Sequence, residues 1–458
     1  MLRSLIRRGT GVLQRLLSHP LLRRVIRNTG YLFSAQTIAA GLSMGQGIMT
    51  ARLLGVEGAG LVGIITQFSS NVNRLLSFRM SELVVSYVGE YTAEGRPRHA
   101  AAIYKTSALL EIIASVVAYG LIVTFAGLGA RLFAHDASLA PLFALYGLAI
   151  LANFAVESST GLLQFFDKFK WIAYLTVGQS ILTIVLIGSA FLSEGGLREI
   201  IIAYMVGKIV WGIGITGVSM WVARQQWGAG WWRAPIALLR DRRRDLVRFA
   251  VSTNISGTLT LVTRDSDELW LGAITSPLQA GYYKIAKAIV NIILIPVNPL
   301  ISTTYREVAN EVANRRWVNV RYLLRSGSLI SAAWTLPAAL GLVIFGRWVI
   351  GLYGAEFLPT SYISLMIMLV GVVAVNIFYW NRSVLLPLGR PDYPTKVQAV
   401  AAVLKVIGIV LLVPGMGAIG MSITLSAMFL FSAVVLVWKT YSEIRRVEGA
   451  VEAAGGQA

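Results

Sequence analysis

The feature that most constrains this chain is a succession of apolar runs, each about 20 residues long and repeated from end to end. A run of that length spans a bilayer as a helix, and a helix satisfies every backbone polar group internally, as lipid requires. The hydrophobic share is 56% and the charged share only 14%, so a two- or three-domain soluble fold is excluded. The first run begins near residue 29 and lacks a small-residue cleavage site before a polar domain, so it reads as a permanent span. Its glycines, Gly41, Gly45 and Gly47, suit close helix packing. The chain contains no cysteine, which rules out disulfides and thiolate metal sites.

Twelve spans are expected, at about 29–53, 59–88, 99–128, 138–162, 169–193, 199–223, 248–273, 278–304, 326–350, 359–384, 396–414 and 416–438. Their connections alternate in charge. Lys and Arg concentrate at the N-terminus, in every second loop and at the C-terminus. The connections on the other side carry only Arg131, Arg198 and, at the edge of span nine, Arg347. The positive-inside rule then places both termini in the cytoplasm. The net charge of +19 is mostly this topology signal and suits anionic lipid headgroups better than nucleic acid.

Five segments follow. Residues 1–28 form a basic amphipathic stretch for the inner membrane surface; 29–223 form an N-lobe of six helices. Residues 224–247 form a basic cytoplasmic linker, 248–438 a C-lobe of six helices, and 439–458 a cytoplasmic tail. Six spans return the chain to its starting side, so the lobes are expected to be parallel repeats around a central cavity. A faint internal match supports this: in "RLLGVEGAGLVGI" and "LWLGAITSPLQAGYYKI", Ala59-Gly60 aligns with Ala280-Gly281 and Ile64 with Ile285. The expected fold class is all-α, and two similar lobes suggest a transporter.

Ionisable residues inside the spans cost about 2.5–3.5 kcal/mol each on insertion scales and normally face protein or a wet cavity. "TLVTRDSDELWLG" places Arg264, Asp265, Asp267 and Glu268 in span seven. On a continuous helix they share one face about 160° wide. Such crowded carboxylates suit proton coupling or charge balance, or an Arg264–Glu268 pair at i,i+4 merely satisfies itself. In span eight Lys284, Lys287, Asn291 and Asn298 form a polar stripe, with Pro296 and Pro299 able to bend the helix; both lysines also lie where they could snorkel outward. Span two carries Arg74, deep in the span, and Arg79, which can pair with Glu82. Arg382 lies towards the inner end of span ten. Lys105, Glu111, Glu157, Lys208 and Lys405 are expected to be lone charges paired or snorkelled locally. Tyr31, Trp171, Tyr174, Tyr379 and Trp380 suit sugar stacking or interfacial anchoring.

The motifs resemble a known family. "ARLLGVEGAGLVGI" after span one is similar to the "ARLLGPEGYG" signature of oligosaccharide-lipid flippases of the Wzx type, with Val56 in place of the usual proline. "DELWLGAITSPLQAGYYKIAKAI" is similar to their "D-x-L-x-LG…LGP-x-x-x-G-x-Y" signature, with Asp267, Gly272, Gly281 and Tyr283 on the matching positions and "AITSPLQ" in place of "FLGPEAV". "SFRMSELVVSYVGEY" resembles their segment ending in "VV-x-Y". The resemblance implies the superfamily shared with multidrug antiporters and lipid II flippases. Its implied cargo is a glycan on undecaprenyl diphosphate, moved to the outer leaflet of a bacterial inner membrane for surface polysaccharide such as O-antigen or capsule, with polymerase machinery as a downstream partner. Under that expectation Arg74, Arg79, Arg264, Lys284, Lys287, Arg382 and Asn291 bind substrate. Glu82, Asp265, Asp267 and Glu268 serve ion coupling or charge balance.

No phosphate-binding loop, nucleophile motif or metal-ligand spacing is present, and the three histidines fall in loops. No catalytic residue, metal or organic cofactor is therefore expected. The expected energy sources are the membrane potential and proton or sodium coupling. The alternatives are a cation antiporter of the same fold, whose cavity should be acidic or aromatic, an integral-membrane polymerase or ligase, which needs a larger external loop, and a non-transporting scaffold.

Overall fold

Helices account for nearly all of the computed structural model, which describes residues 20–77, 80–242, 244–246, 261, 265–390 and 392–455. In the N-lobe these are α1 (Pro20–Leu76), α2 (Met80–Ala93), α3 (Pro97–Gly129), α4 (Ala140–Ala152), α5 (Val156–Phe165), α6 (Phe169–Leu192) and α7 (Leu197–Trp227). The C-lobe has α8 (Asp267–Ile274), α9 (Pro277–Asn291), α10 (Asn298–Ala313), α11 (Trp317–Gly351), α12 (Leu358–Ile377) and α13 (Asp392–Gly455). No strand occurs among the described residues.

Among the described residues nine helical stretches are long and apolar enough to cross a membrane. Two of them contain a glycine kink. Gly55 has φ +68° and Gly417 φ +53°, a backbone region that glycine enters without a Cβ clash, and both lie where the sequence places a boundary between spans. Residues 1–19 of the expected amphipathic segment lie outside the described residues, as does most of expected span seven. The expected tail is helical as far as Gly455, and Glu448 pairs with Arg321.

The connections sort into two ends. At the charge-poor end His135 Nε2 lies 2.7 Å from Gly272 O, Arg52 Nε donates to Leu352 O at 2.8 Å, and Ala418 N donates to Gln279 Oε1 at 2.9 Å. At the basic end the linker folds back onto the N-lobe. Lys105 Nζ donates to Ala234 O at 2.9 Å, the Tyr104 and Trp231 rings are 5.3 Å apart, and Arg242 pairs with Glu90 at 2.7 Å.

The lobes meet where the sequence repeats. A Cβ on Gly60 would overlap Pro277 O, one on Gly281 would overlap Val56 O, and one on Gly272 would overlap Phe133 O. With little hydrophobic drive between helices in lipid, small residues that admit close backbone contact supply the packing. The repeat-related glycines Gly60 and Gly281 thus form a close crossing at the charge-poor end.

Several spans are broken where they approach the molecular centre. Span four is interrupted at residues 153–155 between α4 and α5. Span eight passes through a 3-10 turn, Ile292–Val297, that contains Pro296, and span ten gives way to turns over 378–389. Irregular backbone at membrane depth is tolerated where it is buried in protein or lines a cavity.

Candidate functional site

Span seven is also discontinuous. Asp265 N donates to Leu261 O at 3.1 Å, residues 265 and 266 are not helical, and α8 begins only at Asp267. Ser266, between them, has φ −125° and ψ 7°. The first N–H groups of a helix lack intrahelical acceptors, and here the acceptor comes from the other lobe. Gln67 Oε1, on α1, accepts from Glu268 N at 2.9 Å and Leu269 N at 3.1 Å.

This break corrects the expectation that the charges of span seven share one face, since a rotation of 100° per residue does not hold across residues 265–266. The three described carboxylates point to three places. Asp265 pairs with Arg74 of the opposite lobe. Asp267 is fully buried, accepts from Tyr283 Oη at 2.5 Å and Lys287 Nζ at 2.9 Å, and pairs with Lys405 on α13. Glu268 leans on Gly63 of α1, where a Cβ would overlap its carboxylate. Arg264 and Arg79 lie outside the described residues.

Between the lobes lies a cavity of about 530 Å³. The second arm of α1 lines it with Thr66, Gln67, Ser69, Ser70, Asn71, Asn73 and Arg74, and Ser77 just beyond the helix joins them. The other N-lobe helices add Tyr146, Asn153, Glu157 and Lys208, and the C-lobe adds Asp265, Glu268 and Lys284. Lys284 Nζ reaches across the seam to Ala59 O at 3.0 Å. The expected site residues therefore divide. Arg74, Lys284, Asp265 and Glu268 share this cavity. Lys287 turns away into the C-lobe because the buried carboxylate of Asp267 draws it there. Arg382 is corrected to a separate C-lobe cavity of about 500 Å³ with Tyr379 and Phe429, carried there by the turns that replace the end of span ten; it bonds Gln398. Asn291 ends α9 on an exposed position outside the central cavity, and Glu82 lies exposed in the first turn of α2.

Two residues expected to be bland belong to the cavity wall, Glu157 and Lys208. Glu157 Oε2 accepts from Ser81 Oγ at 2.9 Å. Lys208 is the twelfth residue of α7, about 16 Å from the helix start. Its Nζ sits 5.8 Å from the Trp211 ring centroid, with no carboxylate in ion-pair contact among the described residues. Lys405 is not a lone charge but half of a buried ion pair. The aromatic expectations also divide. Tyr379 lines the C-lobe cavity, Trp380 is wholly buried and donates to Ser328, and Trp171 and Tyr174 are exposed. Among the described residues no group of His, Asp and Glu is arranged to hold a metal ion.

Comparison with known proteins converges on one fold. A family model described as "Polysaccharide biosynthesis protein" matches residues 25–305. The inner membrane protein YghQ of Escherichia coli (strain K12) is 25% identical over 361 residues, covering 73% of this chain and 94% of that protein. A multidrug resistance MATE family transporter of the MOP superfamily in an inward-facing conformation superposes with a TM-score of 0.73 at 14% identity, covering 90% of this chain and 96% of that one. The lipid II flippase MurJ in an inward closed conformation superposes with a TM-score of 0.69 at 15% identity, covering 91% and 89%.

Proposed function

The chain belongs to the polysaccharide biosynthesis protein family and is a multi-pass membrane transporter, not an enzyme, and from that premise we propose that it flips a polyprenyl-diphosphate-linked oligosaccharide across the inner membrane. One observation carries this reading most directly. The cavity between the lobes presents Arg74, Lys208 and Lys284, and Lys208 stands at membrane depth without a carboxylate in ion-pair contact among the described residues. An ionisable side chain at membrane depth calls for a partner of opposite charge, and a diphosphate supplies one that binds through charge-assisted hydrogen bonds.

An acidic cavity, as a cation antiporter needs, is not what the lining offers. Asp265 is neutralised by Arg74, and Glu157 and Glu268 are balanced in number by Lys208 and Lys284. In this reading the cavity opens to the cytoplasm at the basic end, where both termini lie, while the Gly60–Gly281 crossing holds the other end shut. Alternating access then requires the lobes to separate at that crossing. The glycan travels in the polar cavity and the polyprenyl tail stays in lipid. A dianionic headgroup leaving a cytoplasm held 100 mV negative gains about 4–5 kcal/mol from the potential, at about 2.3 kcal/mol per charge. Proton or sodium coupling through Asp265 or Glu268 adds to that force in the same scheme, and the delivered glycan passes to polymerase machinery.

The test is translocation of fluorescent undecaprenyl-diphosphate oligosaccharide in proteoliposomes of the full chain. Protein-dependent flipping is expected. Absence of flipping together with proton-linked efflux of an organic cation would replace this reading with the antiporter.

A further inference from the structure

The two walls of the central cavity differ in kind. The C-lobe wall is ionic, made of Asp265, Glu268 and Lys284, whereas the N-lobe wall is largely uncharged and hydrogen-bonding. On that wall Ser69 Oγ, Asn71 Nδ2 and Asn153 Oδ1 are buried without a hydrogen-bond partner among the described residues, although buried polar groups are nearly always paired. Tyr146 and Glu157 stand beside them. Asn153 sits at the break of span four, where α4 ends and α5 has not begun. Discontinuous transmembrane helices place such groups at substrate sites.

The chemistry of this set is selective. A carboxylate accepts only, an amide offers one donor group and one acceptor, and a hydroxyl does both. An inorganic anion cannot satisfy Glu157 or the Asn153 carbonyl, and a simple cation cannot satisfy the amide donor of Asn71. Hydroxyl groups, each donor and acceptor, satisfy all of them. Resting on the flippase reading above, we propose that Ser69, Asn71, Tyr146, Asn153 and Glu157 form a saccharide subsite. The N-lobe wall holds the hydroxyls of the first sugars of the cargo, while the cations hold its diphosphate. Rotation of the two amides and of the serine hydroxyl onto the sugar removes the unpartnered atoms.

The test compares two probes on the full chain in nanodiscs: undecaprenyl diphosphate carrying a neutral disaccharide, and undecaprenyl diphosphate without sugar. Ser69→Ala removes a single oxygen, Asn71→Leu removes the amide at similar volume, and thermal melting monitors the fold of both. Each lost hydrogen bond is expected to weaken the glycosylated probe about three- to tenfold and to leave the bare diphosphate within twofold of wild type. Equal weakening of both probes, or of neither, would overturn the subsite while leaving the flippase standing. A wild type that binds neither probe would sink the flippase reading itself. A variant that melts early is replaced by Asn153→Leu, which removes the other amide and is judged by the same ratio.

Discussion

Gln67 of the N-lobe caps the first turn of a C-lobe helix: its Oε1 accepts from the backbone N–H of Glu268 at 2.9 Å. The bond to Leu269 N makes one side chain satisfy two orphan donors across the seam, close to where Arg74 pairs with Asp265. Any separation of the lobes at this level breaks both. Removing a helix cap costs about 0.5–2 kcal/mol, so Gln67→Ala is expected to raise the population open at the charge-poor end by roughly two- to thirtyfold. Because the chain has no native cysteine, a single Val56→Cys reports this directly. Its labelling by a membrane-impermeant thiol reagent should rise in the Gln67→Ala background, and unchanged labelling would count against the cap as a latch.

Asp267 is expected to matter for stability more than any other ionisable group. It is fully buried between Lys287 and Lys405, and taking one partner from a buried pair costs about 3–5 kcal/mol because the other charge is left without compensation. Asp267→Asn should therefore melt far below wild type in detergent. Lys405→Met should also destabilise, and the double variant should lose less than the sum of the two, the signature of direct coupling. Additive losses would contradict the pairing.

The overall plan was legible in the sequence because its causes are local. Span length and the recurrence of apolar runs lead to an all-helical membrane fold, and the match of Ala59-Gly60 with Ala280-Gly281 falls on two glycines, Gly60 and Gly281, that lie in close backbone contact with the facing segments. The pairing of Lys405 with Asp267 runs against the expectation of a lone, locally satisfied charge, because a helix's own pattern does not show which distant helix packs against it. The break at residues 265–266 was not legible, because the local pattern fits a continuous 3.6-residue period and the cap that permits a restart comes from a distant residue, Gln67. Nor was the inward placement of Glu157 and Lys208, because which face of a buried helix meets a cavity is set by its neighbours' packing and not by its own pattern.

The glycine crossing yields a steric prediction. Gly281→Ala places a methyl group against Val56 O, and overpacking of this kind costs about 1–3 kcal/mol. The seam should loosen, with higher labelling at Val56→Cys and a lower melting temperature. A substitution that leaves both unchanged would show that the crossing is not a tight contact.

Lys208 gives the sharpest prediction about cargo. A hydrogen bond to a charged group is worth about 1.5–3 kcal/mol, so Lys208→Gln should weaken binding of undecaprenyl diphosphate by about ten- to 150-fold. Lys208→Arg should retain most of it. Equal affinity in all three forms, measured in nanodiscs at constant ionic strength, would remove Lys208 from the anion site.

The central claim is that the cargo passes through the cavity between the lobes, and the measurement that addresses it most directly is photocrosslinking. A photoreactive undecaprenyl-diphosphate oligosaccharide is bound to the full chain in nanodiscs, irradiated, and its attachment sites mapped on peptides. Attachment is predicted on residues 66–76 of α1 and around Lys208 on α7. Attachment confined to the lipid-facing surface of α11, or to the separate cavity around Arg382, would contradict the account.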